Sequence, residues 1–167
     1  MDKNLEYEPV RGAHILMIVN PVSGRIGGEH TADKLEAWLK ENGAAVDRFE
    51  TTETENGSGY TAKLAENDYA RVVVLGGDGT LNAVLNGMLH RALRTPITYL
   101  PAGTTNDFAQ TLGIDDFSGK DFGALLTCEL QRQDIGRIRS WSPASGSGEA
   151  AVEYYDQTLS VGIDAAI

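Results

Sequence analysis

The part of this sequence best suited to chemistry is residues 76–80, which read Gly-Gly-Asp-Gly-Thr. They follow the apolar residues 72–75 and precede apolar residues at helical spacing from Leu81 onward, which indicates a strand, a tight turn and a helix. Glycine permits positive φ or a close approach of ligand to backbone, and a helix N-terminus offers free N–H groups that suit phosphate. An aspartate there would repel phosphate unless it works through a metal ion or takes a proton from an attacking hydroxyl. We therefore expect a phosphate site in which Asp78 acts.

Two further polar loops follow predicted strands. Residues 20–25 read Asn-Pro-Val-Ser-Gly-Arg and come after an apolar run, and residues 101–108 read Pro-Ala-Gly-Thr-Thr-Asn-Asp-Phe and follow another. Each loop alone is a common turn pattern. Because the carboxyl ends of parallel strands meet at one edge of a sheet, the three loops together predict a single ligand site.

The elements that must position these loops alternate between strand and helix patterns, from His14 to about Cys128. This alternation is typical of an α/β fold with a parallel sheet. Strands are predicted at 14–20, 45–50, 71–75 and 97–100, and helices at 31–42, 60–67, from about 80, at 106–112 and at 118–128. Asn106 is expected to cap the helix that ends before Gly113.

From Arg132 the pattern changes to two strands, 132–138 and 152–163, around a polar loop at 142–148. This indicates the beginning of a β-rich layer. We predict three parts: a polar N-terminal tail at 1–13, an α/β nucleotide-binding domain at 14–130, and strands that begin a second domain at 131–167.

Composition excludes several classes of function. The chain has 14 basic and 24 acidic residues, a formal net charge of -10, which argues against a nucleic-acid partner and gives no bulk attraction to anionic membranes. The single cysteine, Cys128, excludes an internal disulfide and fits a reducing, cytoplasmic location. No apolar run approaches the ~20 residues of a membrane-spanning helix. Peripheral contact of a local patch with a membrane stays open.

The order and spacing of the three loops resemble the diacylglycerol kinase catalytic domain of the bacterial lipid kinases, a family that also includes the sphingosine and ceramide kinases. The resemblance runs from about His14 to residues 134–136, which read Asp-Ile-Gly. The Gly-Gly-Asp-Gly-Thr element is shared more distantly with NAD kinases and phosphofructokinases, whereas residues 101–108 point to lipid kinases. The resemblance implies a fold like that of the NAD and diacylglycerol kinases. It also implies ATP-dependent transfer of a γ-phosphoryl group to a lipid hydroxyl such as that of diacylglycerol.

The resemblance further implies roles for individual residues, with ATP and Mg²⁺ as cofactors. The implied nucleotide contacts are Asn20, Pro21, Val22, Ser23, Gly24, Arg25, Thr51, Gly76, Gly77, Asp78, Gly79, Thr80, Leu81, Asn82 and Thr104. Asp78 is implied as the catalytic acid of the Mg²⁺–phosphate centre, with Asp107 and Asp134 as further acids around the metal. Such a network fits phosphoryl transfer, which depends chiefly on positioning and charge neutralisation.

Members of this family are longer and carry a second, mostly β domain with a glutamate-bearing motif implicated as a base. We therefore expect this chain to be an N-terminal portion that holds nucleotide but turns over little or no lipid alone. Residues 159–167 resemble the first strand of that domain, and an unpaired apolar strand would favour a homodimer. Two alternatives stay open, an NAD kinase-like enzyme and a non-catalytic nucleotide-binding module. An NAD kinase would need a downstream Asn-Glu pair, which the sequence lacks.

Overall fold

The computed structural model describes residues 10–23, 28–114, 122–123, 130–140 and 151–156. In chain order the elements are β1 (His14–Val19), α1 (Gly28–Glu41), β2 (Ala45–Glu50), α2 (Ser58–Thr61), β3 (Arg71–Gly76), α3 (Asp78–His90), β4 (Ile97–Pro101), α4 (Asp107–Thr111), β5 (Gly136–Ser140) and β6 (Ala151–Tyr155). None of the helices among these residues is long and apolar enough to cross a membrane.

The first four strands form one parallel sheet in the order β2-β1-β3-β4. The register aligns their carboxyl ends, because Val19 pairs with Leu75 and Gly76 pairs with Pro101. The polar loops after β1, β3 and β4 therefore leave the sheet at the same level. This confirms the predicted α/β class with a parallel sheet.

Strands β1 and β3 are buried on both faces, which explains why they read as continuous apolar runs. Their alternate residues serve two cores. Leu16, Ile18, Val72 and Val74 pack with Leu81, Val84 and Met88 of α3, whereas Ile15, Met17, Val73 and Leu75 pack with Leu35 and Leu39 of α1. Helices α1 and α3 thus cover opposite faces of the sheet, and α3 begins directly at its carboxyl edge.

Strands β5 and β6 form an antiparallel hairpin that packs against α3. The strand predicted at 132–138 begins later, at Gly136, and residues 130–135 have no regular structure. The second predicted strand is confirmed over Ala151–Tyr155. Asp156 forms a bend and ends the strand, and residues 157–163 of that prediction lie outside the described residues, as do residues 1–9 of the predicted tail (1–13) and the loop at 142–148.

The helices differ from their predicted bounds. Helix α2 is a single turn, Ser58–Thr61, so the helix predicted at 60–67 is wrong over residues 62–67. The turn starts two residues early because one carboxylate oxygen of Glu55 accepts hydrogen bonds from the N–H groups of Gly57 and Gly59. Helix α1 begins at Gly28, ahead of the predicted residue 31. Of the helix predicted at 118–128, only residues 122–123 are described, and they are helical.

Candidate functional site

At the carboxyl edge of the sheet, a first set of hydrogen bonds links the loop after β1 to the start of α3. The Asn20 backbone N–H donates to the Leu75 carbonyl at 2.8 Å, and its side-chain amide donates to the Thr80 hydroxyl at 3.1 Å. The other amide atom accepts the Val22 N–H at 3.2 Å, which closes a local turn. Thr80 is only 7% exposed, so this bond lies in a largely dry place. Asn20 therefore fixes one glycine-rich loop against another.

The second contact is made by Asp78, the first residue of α3, whose carboxylate caps α4 although it lies 29 residues before Asp107 in the chain. One oxygen accepts the Asp107 N–H at 3.0 Å, and the other accepts the Phe108 N–H at 3.3 Å. A carboxylate at a helix N-terminus is stabilised both by these donors and by the helix dipole. The sequence prediction that Asn106 caps this helix is wrong, since its side chain makes no capping bond.

Asn106 instead holds the loop after β4 in shape. Its side-chain oxygen accepts the Gly103 N–H at 2.8 Å and its amide donates to the Gly103 carbonyl at 3.0 Å, while its own backbone has φ 50°. This brings Gly103 against Gly77 of the neighbouring loop so closely that a Cβ on Gly103 would lie 2.6 Å from the Gly77 Cα. Gly103 therefore has to be glycine for the loops to touch, whereas a Cβ on Gly77 would be tight, at 3.2 Å from the Gly103 Cα.

Gly79 differs from these glycines because nothing in the described protein explains it. It lies in the first turn of α3, it is exposed, and a Cβ built on it would meet no atom within 4 Å. The N–H groups of Thr80 and Leu81 already bond to the Gly77 carbonyl. The donors left over in this turn are those of Asp78 and Gly79, as expected for the start of a helix. The open space over Gly79 therefore suits an anionic ligand that approaches the backbone.

Two side chains at this edge were missed by sequence reasoning. The hydroxyl of Tyr99, the middle residue of β4, lies 3.5 Å from both Asp78 Oδ1 and Asn106 Oδ1. Burial, with the Asp78 charge beside it, raises the pKa of Tyr99 well above its usual range, so the phenol stays protonated at neutral pH. The only sequence signal was a polar-tipped residue inside a buried strand, two residues before the loop.

The second missed residue is Asp156, directly after β6. Its Oδ2 is buried and has no hydrogen-bond partner among the described residues. Burial raises the pKa of Asp156, and the nearby Asp78 charge raises it further. The site therefore contains two carboxylates that repel each other, Asp78 and Asp156, from elements 78 residues apart in sequence.

The structure places the other predicted nucleotide contacts unevenly. Val22 is 88% exposed and Thr104 is exposed, whereas Thr51 is 8% exposed beside Gly57. The Leu81 side chain is 2% exposed within the core, so a nucleotide contact of that side chain is not supported. The remaining members of the predicted set lie at the carboxyl edge, except for two that fall outside the described residues, Gly24 and Arg25.

The three predicted metal acids do not gather in one place. Asp107 meets Asp78 through its backbone N–H while its side chain is exposed, and Asp134 is exposed in the irregular stretch before β5. Among the described residues no group of three His, Cys, Asp or Glu side chains is arranged to hold a metal. The grouping of Asp78, Asp107 and Asp134 around a metal therefore stays a prediction.

Asp78 nevertheless has the chemistry to bind a metal ion that is also bound to phosphate oxygens. A carboxylate has about four lone-pair positions, and the two α4 N–H donors leave some of them free. Mg²⁺ usually binds one or two carboxylates together with phosphate oxygens and water, rather than an all-protein cage. The partnerless oxygen of Asp156 adds acceptor capacity beside it.

A parallel sheet whose strand ends gather glycine-rich polar loops at a helix N-terminus defines a nucleotide-binding type of α/β domain. Comparison with known proteins narrows this class. Residues 14–138 match the family model of the diacylglycerol kinase catalytic domain. The chain belongs to that family.

Named relatives agree with this assignment. The chain is 28% identical over 124 residues to a diacylglycerol kinase of Staphylococcus saprophyticus, covering 74% of this chain and 41% of the relative. It is 35% identical over 99 residues to a diacylglycerol kinase of Bacillus subtilis, covering 59% of this chain and 32% of the relative. A crystal structure of a diacylglycerol kinase from Bacillus anthracis shares the fold, with a TM-score of 0.60 at 22% identity over 82% of this chain and 47% of that one. The chain thus spans less than half the length of these relatives.

Proposed function

We propose that this chain provides the nucleotide site of a kinase that transfers the γ-phosphoryl group of ATP to a lipid hydroxyl such as that of diacylglycerol. Family membership and the names of the relatives support the class of reaction. The observation that carries the nucleotide site is Gly79, a glycine without a structural reason, in a helix start that Asn20 and Asp78 join to both neighbouring loops.

In this proposal the first turn of α3 binds phosphate oxygens. The N–H groups of Asp78 and Gly79 donate to them, and the positive end of the α3 dipole stabilises their charge. Gly79 leaves room for the approach. Because the loops are already joined by Asn20, Gly77 and Gly103, the donors need little reorganisation when the ligand enters.

Asp78 has two tasks in the proposal. It holds α4 in place through the N–H groups of Asp107 and Phe108, and it presents its free lone pairs to the phosphate site. Bound there with the nucleotide, Mg²⁺ would neutralise the charge of the transferred phosphoryl group. The Tyr99 hydroxyl, kept protonated, is a further donor beside Asp78.

The proposal is tested by calorimetric titration of Mg-ATP into the parent chain and into Asp78→Asn. We expect binding that requires Mg²⁺ and that weakens at least about tenfold in the variant, because a charge-assisted contact is lost. Asp33→Asn is the matched control, since this exposed α1 carboxylate pairs with Arg48 on another face of the domain. The proposal would be contradicted if the parent bound ATP equally well without Mg²⁺ and if Asp78→Asn left the affinity unchanged.

Two further measurements separate this reading from the alternatives. Competition of ATP binding by NAD would favour an NAD kinase-like enzyme, and lack of competition would favour the lipid kinase. Transfer of labelled phosphate from ATP to vesicles that contain diacylglycerol measures catalysis directly. We predict that these 167 residues alone bind nucleotide but transfer little phosphate. Lipid phosphorylation well above a protein-free blank would overturn that prediction.

A further inference from the structure

A side chain of helix α3 hydrogen-bonds to the backbone of strand β6 in the way that a neighbouring strand would. The Asn86 side-chain oxygen accepts the Tyr154 N–H at 2.8 Å, and its amide donates to the Tyr154 carbonyl, also at 2.8 Å. One asparagine thus satisfies both backbone groups of a single strand residue. Losing it would leave a donor and an acceptor without partners at a part-buried position.

Asn86 is the middle member of a polar row on α3. Asn82, Asn86 and His90 are spaced by four residues, so they share one face of the helix. The Asn86 amide also donates to the Asn82 carbonyl at 3.0 Å, which fixes its orientation. The His90 ring meets the Tyr154 ring edge-on at 5.5 Å. This row faces the hairpin, while the opposite side of α3 packs in the core.

The position of Asp156 follows from this docking. Asp156 is two residues beyond Tyr154, and alternate residues of an extended chain point to the same side. Asp156 feels the charge of Asp78 and its own charge acts on Tyr99, so it lies within electrostatic range of the first turn of α3. An unpartnered, buried carboxylate oxygen near a second carboxylate is unfavourable by itself. The β6 backbone must therefore be held firmly to keep it there.

We propose that Asn86 is a positioning residue of the nucleotide site, which docks β6 on α3 and thereby holds Asp156 at the Asp78 end of that helix. The inference rests on the proposed function and adds two residues to it. Asn86 acts through Asp156 and not by touching the ligand. Asp156 then provides negative charge that favours a nucleotide carrying Mg²⁺ and opposes the bare triphosphate.

The inference predicts opposite effects with and without metal. Asp156→Asn should weaken Mg-ATP binding about threefold to tenfold, less than Asp78→Asn does, because Asp156 attracts the metal-bound nucleotide through its charge without contacting it. The same variant should bind metal-free ATP more tightly than the parent, because a repelling charge is gone. A merely structural change in β6 would weaken both. Glu153→Gln is the matched control, since it removes an exposed charge from the same strand and should change neither affinity.

A double-mutant cycle tests whether Asn86 acts through Asp156. Asn86→Ala alone should weaken Mg-ATP binding about as much as Asp156→Asn, and the double variant should be no weaker than either single one. Asn42→Ala is the control for loss of an asparagine amide, because Asn42 bonds to the Trp38 carbonyl at the far end of α1. If Asn86→Ala fails to fold, Asn86→Asp replaces it, since it keeps the acceptor for the Tyr154 N–H and removes the donor to the Tyr154 carbonyl.

The outcomes separate the two proposals. Additive losses in the cycle, or equal weakening of ATP binding with and without Mg²⁺, would overturn the roles of Asn86 and Asp156 while the nucleotide site stands. Absence of Mg-ATP binding by the parent at millimolar concentration would overturn the proposed function and this inference with it. Coupled losses that require Mg²⁺ would support both.

Discussion

Replacing Gly79 by alanine is expected to stabilise the fold while it removes nucleotide binding. The new Cβ meets no protein atom within 4 Å, and Gly79 is not among the residues with positive φ. Alanine in a helix is favoured over glycine by up to about 1 kcal/mol. The methyl group occupies the space through which phosphate would reach the first turn of α3, so the affinity for Mg-ATP should fall.

The same substitution at Gly87, two turns further along α3, should have the opposite effect on stability. Its Cβ would lie 2.0 Å from the Thr61 hydroxyl oxygen and 2.4 Å from the Ser58 carbonyl oxygen of α2. Overpacking of this kind typically costs about 1–3 kcal/mol, and the backbone carbonyl has no rotamer to move away. The two variants should therefore differ by roughly 1.5–4 kcal/mol in the free energy of unfolding.

Urea unfolding followed by circular dichroism gives these free energies, and calorimetry gives the affinity for Mg-ATP. Gly79→Ala that binds Mg-ATP as the parent does would refute the argument that phosphate approaches this turn. A large loss of stability in Gly79→Ala would mean that the glycine is needed by the fold, and the reasoning from open space would fail. A neutral Gly87→Ala would show that α2 and α3 are not packed as closely as described.

Three further predictions concern stability. Asp78→Ala should lower the free energy of unfolding by about 0.5–2 kcal/mol, because α4 loses its cap, and a melting curve equal to the parent's would contradict this. The pKa of Tyr99 is raised in the folded state, so its stabilising contribution is complete below the unfolded pKa of about 10 and is lost as the pH rises toward the folded pKa. Between neutral and strongly alkaline pH, Tyr99→Phe should therefore lose less stability than the parent, as measured by urea unfolding. The pKa of Asp156 is also raised in the folded state, because burial and the Asp78 charge disfavour its charged form. Its contribution to stability is therefore greatest below the unfolded pKa of about 4 and is lost as the pH rises through the folded pKa. Asp156→Asn should raise the melting temperature at pH 7 and have little effect near pH 3.

Much of the fold was predictable because its signals are local. The apolar runs of β1 and β3 have to be buried on both faces, and a run of that kind with helical patterns between strands indicates a parallel sheet. The sheet then brings the loops after β1, β3 and β4 to one edge without further information. The glycine-rich motif and its neighbours in order and spacing also pointed to the family that the comparison found.

What only the tertiary structure decided is which side chains meet at that edge. Asn106 occupies the N-cap position of α4, yet the carboxylate of Asp78 makes the capping hydrogen bonds because the loops after β3 and β4 touch at Gly77 and Gly103. Asp134 belongs to the predicted metal set by motif and lies exposed, whereas Asp156, which no motif singled out, lies within electrostatic range of Asp78.

Asp156 shows most clearly why sequence alone was insufficient. Its position depends on Asn86 docking β6 onto α3, across 68 residues of chain. Spacing along a sequence determines which residues share a strand or a helix face, because those periods are fixed by backbone geometry. It does not determine where a hairpin packs, since that depends on hydrogen bonds and burial between distant segments. The sequence therefore determined the sheet, its loops and the family, and the packing of β6 on α3 brought Asp156 within range of Asp78.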